Sequence, residues 1–148
     1  MEGMSTMIKY KIGYTQGVFD MFHIGHLNLL RRAKEQCDYL IVGVNSDELV
    51  REYKKKETVV KQIDRVNIVS AIKYVDQCEV VDTLDKLKQL EKFQFEVIFI
   101  GSDWKDSPRW MKTIEDLEKK NVYVEFLEYT AGVCSTDLKD QEGVAEES

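Results

Sequence analysis

The segment Gly17–His26, which reads Gly-Val-Phe-Asp-Met-Phe-His-Ile-Gly-His, decides the expected fold and contains the chain's only two histidines. It follows a strand-like stretch over residues 8–14 and leads into a helical pattern from His26 to about residue 36. His23 and His26 stand at i and i+3 of a first helical turn, so they share the face where free amides and the helix dipole attract anions. Gly25 has no side chain, so an anion can approach the backbone closely. The segment therefore predicts a phosphate site, and the alternative is a chance pair of surface or capping histidines.

Apolar runs alternate with helix-period segments along the rest of the chain. Further strands are predicted at Tyr39–Val44, Val80–Val81, Val97–Ile100 and Val122–Leu127. Helices are predicted between these strands, the first with an N-cap at Ser46 and the last beginning at Ser107–Pro108. Three of them have an apolar stripe expected to face the core; the stripes are Ile63, Val66, Val69 and Ile72, then Leu84, Leu87 and Leu90, then Met111, Ile114 and Leu117. Such alternation predicts an α/β fold, a Rossmann-like doubly wound parallel sheet of about five strands with flanking helices. Ligands of such sheets bind beyond the carboxyl ends of the strands, where the histidine turn, the Gly101 turn and the turn after Leu127 are all expected.

Length and composition indicate a single domain over residues 1–148, with residues 1–7 and 141–148 expected to be flexible. A formal net charge of -6 argues against nucleic acid as a partner. No stretch approaches the roughly 20 apolar residues of a membrane span, and the first residues do not read as a signal peptide. Cys37, Cys78 and Cys134 lie far apart with no metal-like pairing, so we expect no protein metal site and reduced thiols in a cytoplasmic protein.

The Gly17–His26 segment also resembles the Gly-x-Phe-Asp-x-x-His-x-Gly-His signature of the cytidylyltransferase-like nucleotidyltransferases. The likeness extends through residues 37–47, 65–76 and 101–104, and covers the chain from Ile8 to about Leu138. Class I aminoacyl-tRNA synthetases have a similar His-x-Gly-His turn, but this acidic chain is too short to hold their tRNA-binding domains. The resemblance therefore favours a nucleotidyltransferase.

The resemblance implies that an oxygen of a substrate phosphate attacks the α-phosphate of CTP and releases pyrophosphate. His23 and His26 would be catalytic and contact the triphosphate. The Val18-Phe19 backbone and Gly25 would line the nucleotide, and Asp20 would brace the loop. Two alternatives stay open, because the Phe19 side chain could simply pack in the core and Asp20 could be only a hydrogen-bond acceptor within the loop.

A basic cluster follows the second predicted strand and consists of Arg51, Lys54, Lys55, Lys56, Lys61 and Arg65. The family places lysines for substrate and triphosphate here. This segment is slightly longer than in the family, which leaves the match of individual lysines open. We predict Lys54 as a catalytic and substrate-binding residue, Lys56 as substrate-binding and Arg65 as nucleotide-binding. The alternatives are a solvated basic face and, for Arg65, an ion pair on a helix surface.

The resemblance implies further nucleotide-binding residues in two segments, namely Gly101, Asp103 and Trp104, and then Thr130, Gly132, Ser135 and Thr136. Trp104 could equally be a core residue. Tyr129 stands where the family has arginine, and Cys134 where it has serine. Arg109 is a candidate to supply the missing guanidinium.

The function implied is CMP transfer from CTP to a small phosphorylated alcohol, with glycerol 3-phosphate first and phosphocholine or phosphoethanolamine next. Mg²⁺ is expected to enter with the triphosphate, and the family suggests a homodimer. One alternative is an adenylyltransferase that uses ATP. Another, suggested by Tyr129, is a nucleotide-binding regulator without catalysis, which would bind CTP but release no pyrophosphate.

Overall fold

A computed structural model describes residues 10–101 and 108–127, with only the backbone described for Pro108 and Arg109. Strands and helices alternate through these residues as the sequence predicts. The elements are β1 (Tyr10–Gly17), α1 (Ile24–Lys34), β2 (Cys37–Asn45), α2 (Asp47–Lys54), α3 (Gln62–Ser70), β3 (Gln77–Val81), α4 (Lys86–Phe93), β4 (Val97–Gly101), α5 (Pro108–Lys119) and β5 (Tyr123–Leu127). Within this described part, no helix is long and apolar enough to cross a bilayer.

The strands form one sheet in the order β3-β2-β1-β4-β5, and every neighbouring pair is parallel. The predicted Rossmann-like α/β fold is therefore confirmed. The chain builds outward from β1 to β3, then returns to add β4 on the other side of β1. The strand order reverses between β1 and β4, and a crevice opens beyond the carboxyl ends of strands at such a reversal.

Helices cover both faces of the sheet, which explains why the inner strands read as continuous apolar runs. One core packs α1 and α3 against the sheet through Leu30, Ala33 and Val69. The other packs α4 and α5 through residues that include Phe93 and Leu117. Helices thus cover both faces of the sheet, and polar side chains lie at the carboxyl edge of the strands.

β1 and α1 differ from their predicted bounds at the histidine segment. β1 continues to Gly17 because residues 15–17 still pair with residues 42–44 of β2. α1 begins at Ile24, two residues earlier than predicted, because His23 caps it. The connection between β1 and α1, which contains Phe19 and Asp20, is therefore short, with the last pairs of β1 at one end and the His23 cap at the other.

Two residues predicted to face inward lie at the surface instead. Ile63 of α3 is 63% exposed and Met111 of α5 is 58% exposed. In α3 the burial of Arg65 sets the inner face, although Val66, Val69 and Ile72 do contact the core as predicted. In α5 the indole of Trp110 is buried in place of its neighbour Met111, while Ile114 and Leu117 pack inward.

Helix α4 also buries different residues from those that the leucine pattern indicates. Leu84 precedes the helix, and Leu87 and Leu90 are only partly buried against the core. Lys86 and Gln89 lie deeper. The Lys86 ammonium lies 5.0 Å from the centre of the Trp110 ring, and the Gln89 amide donates to the Thr83 carbonyl at 2.6 Å. These contacts offset part of the cost of burying the two polar groups.

Candidate active site

The two histidines meet at the start of α1 and form a reciprocal cap. His23 is the N-cap residue, with extended backbone, and its Nδ1 accepts from the Gly25 amide at 3.0 Å. The His23 amide donates in turn to Nδ1 of His26 at 3.1 Å, which completes a capping box. The ring centres are 4.1 Å apart. A pair of imidazoles therefore does what a serine and a glutamate do at an ordinary helix start.

This cap determines which ring nitrogen can act on a ligand. A neutral imidazole has one N–H and one acceptor nitrogen, and here the acceptor is Nδ1 in both rings. The proton of each neutral ring is consequently on Nε2. Each ring therefore has an Nε2–H donor of the kind that a phosphate oxygen accepts, and that of His26 is buried.

The expectation that free amides of the first turn face an anion needs correction. The amides of His23 and Gly25 both donate to imidazole nitrogens, so they fix the rings. The histidines therefore do cap α1, and their contact with phosphate stays a prediction. His26 is 0% exposed and packs against Phe19 and Phe22, so it is no surface histidine, while His23 is half-buried. A donor held away from water acts more strongly on charge than one in solvent.

The loop before the histidines has an unusual backbone. Phe19 and Met21 have φ angles of 55° and 52°, in the left-handed region that non-glycine residues rarely adopt. Each such residue costs of the order of 1–3 kcal/mol, which the surroundings must offset. The Phe19 side chain is 2% exposed and packs in the core, as its alternative interpretation held, and Val18 is also buried. Only the backbone of these two residues remains a candidate to line a nucleotide.

Asp20 joins this histidine loop, which we define as residues 18–23, to the lysine segment, residues 54–62. Its two carboxylate oxygens accept from the amides of Val59 and Val60, each at 2.8 Å. Asp20 is 7% exposed. The predicted brace is therefore present, and it reaches the segment that contains the candidate lysines.

Arg65 was predicted to bind the nucleotide, but its side chain is 0% exposed and engages protein oxygens. Its Nε donates to the Val60 carbonyl at 2.8 Å, and Nη1 donates to the carbonyls of Val18 and Asn45 at 2.8 and 2.7 Å. Nη2 donates to Asp47 at 2.5 Å. The guanidinium is neither a nucleotide contact in this arrangement nor a helix-surface ion pair. It is buried because backbone carbonyls of three segments converge on it.

Asp47 is held in its charged form by these contacts. Burial alone would raise the pKa of its carboxyl, but hydrogen bonds from the Gln62 amide, the Arg65 guanidinium and the Thr58 hydroxyl outweigh it and lower the pKa below its usual value. The Thr58 hydroxyl lies 3.0 Å from Oδ1, and the Gln62 amide lies 3.1 Å from Oδ2. The negative charge therefore stays beside Arg65 at neutral pH.

Lys54 and Lys56 lie in the lysine segment, as predicted, and both are half-buried. Lys54 is the last residue of α2, and Lys55 ends the helix in the left-handed conformation at φ 59°. The contacts of Asp20 and Arg65 bring the backbone of this segment beside the histidine loop. Which lysine acts on a substrate stays a prediction.

A polar chain at the strand ends was not predicted from the sequence. Gln16 donates to Asn45 at 2.6 Å and to the Thr83 carbonyl at 3.2 Å, and Asn45 donates to the Tyr53 hydroxyl at 3.0 Å. Asn45 is 0% exposed. The available signal was the polar residues Gln16 and Asn45 at the carboxyl ends of β1 and β2, because such residues are buried only where they are paired.

Two of the remaining predicted site residues lie within the described part of the chain. Gly101 is buried at the end of β4 and opposite Leu127 of β5, on the expected edge. Arg109 lies in the first turn of α5. The others lie outside the described residues, and these are Asp103, Trp104, Tyr129, Thr130, Gly132, Cys134, Ser135 and Thr136. Within the described ranges, no group of three or more His, Cys, Asp or Glu side chains could hold a metal ion.

Residues 14–141 match the family model described as Cytidylyltransferase-like. A glycerol-3-phosphate cytidylyltransferase of Bacillus spizizenii is 34% identical over 133 residues, 84% of this chain and 92% of that protein. The bifunctional protein HldE of Geobacter metallireducens is 30% identical over 132 residues, 88% of this chain. This chain spans only 26% of the length of that HldE protein. An FAD synthase of Archaeoglobus fulgidus is 38% identical over 109 residues, 74% of this chain and 77% of that protein.

The fold also matches a solved structure. The lipopolysaccharide core biosynthesis protein of Thermoplasma volcanium superposes with a TM-score of 0.68 at 22% identity, over 82% of this chain and 97% of that one. At this identity the likeness concerns the fold alone. The three sequence relatives, by contrast, are at least 30% identical over most of the chain.

Proposed function

The chain belongs to the cytidylyltransferase-like family and is a nucleotidyltransferase, and from this premise we propose that it transfers CMP from CTP to a phosphorylated alcohol with release of pyrophosphate. Glycerol 3-phosphate is the first candidate for the acceptor, and phosphocholine and phosphoethanolamine follow. The observation that carries the proposal is the reciprocal histidine cap, which holds two Nε2–H donors at a carboxyl edge of the sheet. The glycerol-3-phosphate cytidylyltransferase likeness supports the choice of nucleotide and acceptor.

In the proposed reaction an oxygen of the acceptor phosphate forms a bond to the α-phosphorus of CTP, and the bond from that phosphorus to the bridging oxygen of pyrophosphate breaks. Negative charge develops on the oxygens of the α-phosphate and on the leaving group. His23 and His26 would donate to those oxygens, while Lys54 or Lys56 would hold the acceptor phosphate. Because no covalent intermediate on the protein is needed, catalysis consists of positioning and charge stabilisation.

Mg²⁺ is proposed to enter with the triphosphate. Both carboxylate oxygens of Asp20, in the histidine loop, accept hydrogen bonds from backbone amides, so this carboxylate already has partners within the protein. An ion at this site would therefore be held mainly by phosphate oxygens and water, as is common for Mg²⁺. When bound, it would neutralise charge on the triphosphate.

A second candidate is adenylyl transfer from ATP. The FAD synthase relative supports it, because FAD contains an adenylyl group and that protein is 38% identical over 74% of this chain. The histidines would donate to phosphate oxygens of either nucleotide, so they do not discriminate between the two bases. The choice between CTP and ATP therefore rests on measurement.

A panel of nucleotides and acceptors tests the proposal. CTP and ATP are each combined with glycerol 3-phosphate, phosphocholine and phosphoethanolamine, and pyrophosphate is measured. The expected result is release that requires both CTP and an acceptor, fastest with glycerol 3-phosphate. Preferential use of ATP would move the chain to adenylyl transfer. Tight CTP binding without pyrophosphate in any combination would identify a regulator instead of an enzyme.

A further inference from the structure

We propose that Arg65, together with Asp20 and Asp47, is a positioning centre that fixes the lysine segment against the histidine loop and thereby sets the approach of the acceptor phosphate to the nucleotide. We call these three residues the Arg65 centre. The role rests on the proposed function, because a reaction between two bound substrates needs the histidine loop and the lysine segment at a fixed separation. It assigns to Arg65 an indirect action through other residues, in place of a contact with substrate.

The bonds of Arg65 connect three separate parts of the carboxyl edge. Val18 belongs to the histidine loop, Asn45 ends β2, and Val60 belongs to the lysine segment. A guanidinium has five N–H donors in a rigid planar fork, so one side chain can hold these positions at a fixed separation. A lysine has a single nitrogen and cannot span the same set of acceptors.

The lysine segment depends on such contacts because its central part forms no regular secondary structure. Residues 55–61 lie between α2 and α3, outside any helix or strand. Side chains replace the missing backbone bonds, with Asp20 binding the amides of Val59 and Val60. Asp47 binds the Thr58 hydroxyl and the Gln62 amide, and the Asp47 amide donates to Gln62 at 2.8 Å. The segment is thus attached to the core through the Arg65 centre.

The charges of the centre favour one fixed arrangement of its side chains. Arg65 is buried, and a buried charge is tolerated only when it is paired and hydrogen-bonded. Asp47 supplies the opposite charge, and three carbonyl oxygens accept the remaining bonds. Movement of the segment away from the histidine loop would break several of these bonds at once, so the separation of the two loops is tightly defined.

The kinetic test compares Arg65→Lys with Val69→Ala, a core change on the same helix that is expected to lower stability without touching the centre. Assayed well below its unfolding temperature, Arg65→Lys is expected to lower kcat/KM for the acceptor at least about ten-fold, because small displacements of reacting groups are costly. Val69→Ala is expected to remain within about two-fold of wild type. An equal loss in both variants would show that Arg65 acts only through stability and would overturn the role.

A double-mutant cycle then tests whether Arg65 acts through the lysines. The effect of Arg65→Lys is measured in wild type and in the Lys54→Ala/Lys56→Ala background. If the Arg65 centre positions these lysines, the second effect is expected to be much smaller than the first, since the groups being positioned are gone. Fold-changes that simply multiply would contradict the proposal.

Amide hydrogen exchange supplies a readout that needs no turnover. The amides of Val59 and Val60 should be protected in the wild-type protein and exchange at least about ten-fold faster in Arg65→Lys, with no such local change in Val69→Ala. Unchanged exchange in Arg65→Lys would overturn the positioning role. Wild-type protein that releases no pyrophosphate with any acceptor would contradict the proposed function instead, so the two failures are distinguishable.

Discussion

His23 and His26 each use one ring nitrogen to hold the backbone, which separates their structural role from their proposed chemical role. Asparagine is a good N-cap residue and has a side-chain acceptor, but it lacks the Nε2–H donor. A comparison of alanine and asparagine at one position can therefore measure the two roles independently.

We expect His23→Ala to lower the free energy of unfolding by about 1 kcal/mol, because the cap of α1 is lost. His23→Asn should stay close to wild type in stability. Both variants should lose roughly 10²-fold in turnover, equivalent to about 3 kcal/mol of transition-state stabilisation. Urea denaturation and steady-state kinetics on the same samples check this. Normal turnover in His23→Asn would leave the histidine with the capping role alone.

Asp47 leads to a prediction on pH. Its pKa is lowered in the folded state, so its contribution to stability is present above the unfolded value near 3.9 and is lost as pH falls through the lower folded value. Asp47→Asn should therefore destabilise the protein at pH 7, by about 1.5–3 kcal/mol for a hydrogen bond to a charged group. The difference from wild type should shrink below about pH 4. Denaturation curves at pH 7 and pH 3 test this, and a constant difference would contradict it.

At the scale of single residues, the sequence predicted the histidines at a helix start and Asp20 as a brace, but not the use made of Arg65. The motif locates residues that lie close together in the chain. Arg65 is buried by the carbonyls of Val18, Asn45 and Val60, which are distant in sequence and meet only in the folded protein. A basic residue on an amphipathic helix reads as a surface residue unless those partners are known.

The elements were predicted well where periodicity was strong. Residues 40–44 of β2 and all of β4 are continuous apolar runs buried on both faces. Ser46 caps α2 through the Leu49 amide at 3.0 Å, as expected. The inner faces of α3 and α5 were less predictable. Burial of Arg65 and of Trp110 depends on partners from other elements, so the apolar spacing misassigned Ile63 and Met111.

The pairing of β1 with β2 gives an element-level prediction. A Cβ added at Gly43 would lie 2.4 Å from the Tyr14 hydroxyl, and the Tyr14 ring is stacked on Phe95 with centres 4.7 Å apart, which leaves it little room. Gly43→Ala should therefore destabilise the protein by about 1–3 kcal/mol, the usual cost of overpacking. The Tyr14 hydroxyl is buried without a hydrogen-bond partner in the described structure.

Tyr14→Phe removes that hydroxyl, so it should be neutral or stabilising by itself and should relieve part of the Gly43→Ala loss. Thermal and chemical unfolding of the two single variants and the double variant form the cycle. Additive losses would show that the clash lies with another neighbour, such as Val81, whose Cγ1 would lie 3.1 Å from the added atom.

For the whole molecule, the strand order explains why distant motifs belong to one site. β1 lies between β2 and β4, so the histidine loop, the end of β2 and Gly101 share one edge. The alternation of strands and helices was sufficient to predict that edge. The alternation could not predict the contacts between loops, because these depend on individual side-chain partners. The homodimer stays a prediction.

The rate of pyrophosphate release from CTP, measured against the concentration of glycerol 3-phosphate, tests the central claim most directly. We expect a saturable, acceptor-dependent rate in the wild-type protein, and a rate at least roughly 10²-fold lower in both His23→Asn and His26→Asn, in which an amide oxygen can replace the capping nitrogen. CTP binding without acceptor-dependent pyrophosphate, or wild-type rates in both asparagine variants, would contradict the assignment of this site to nucleotidyl transfer.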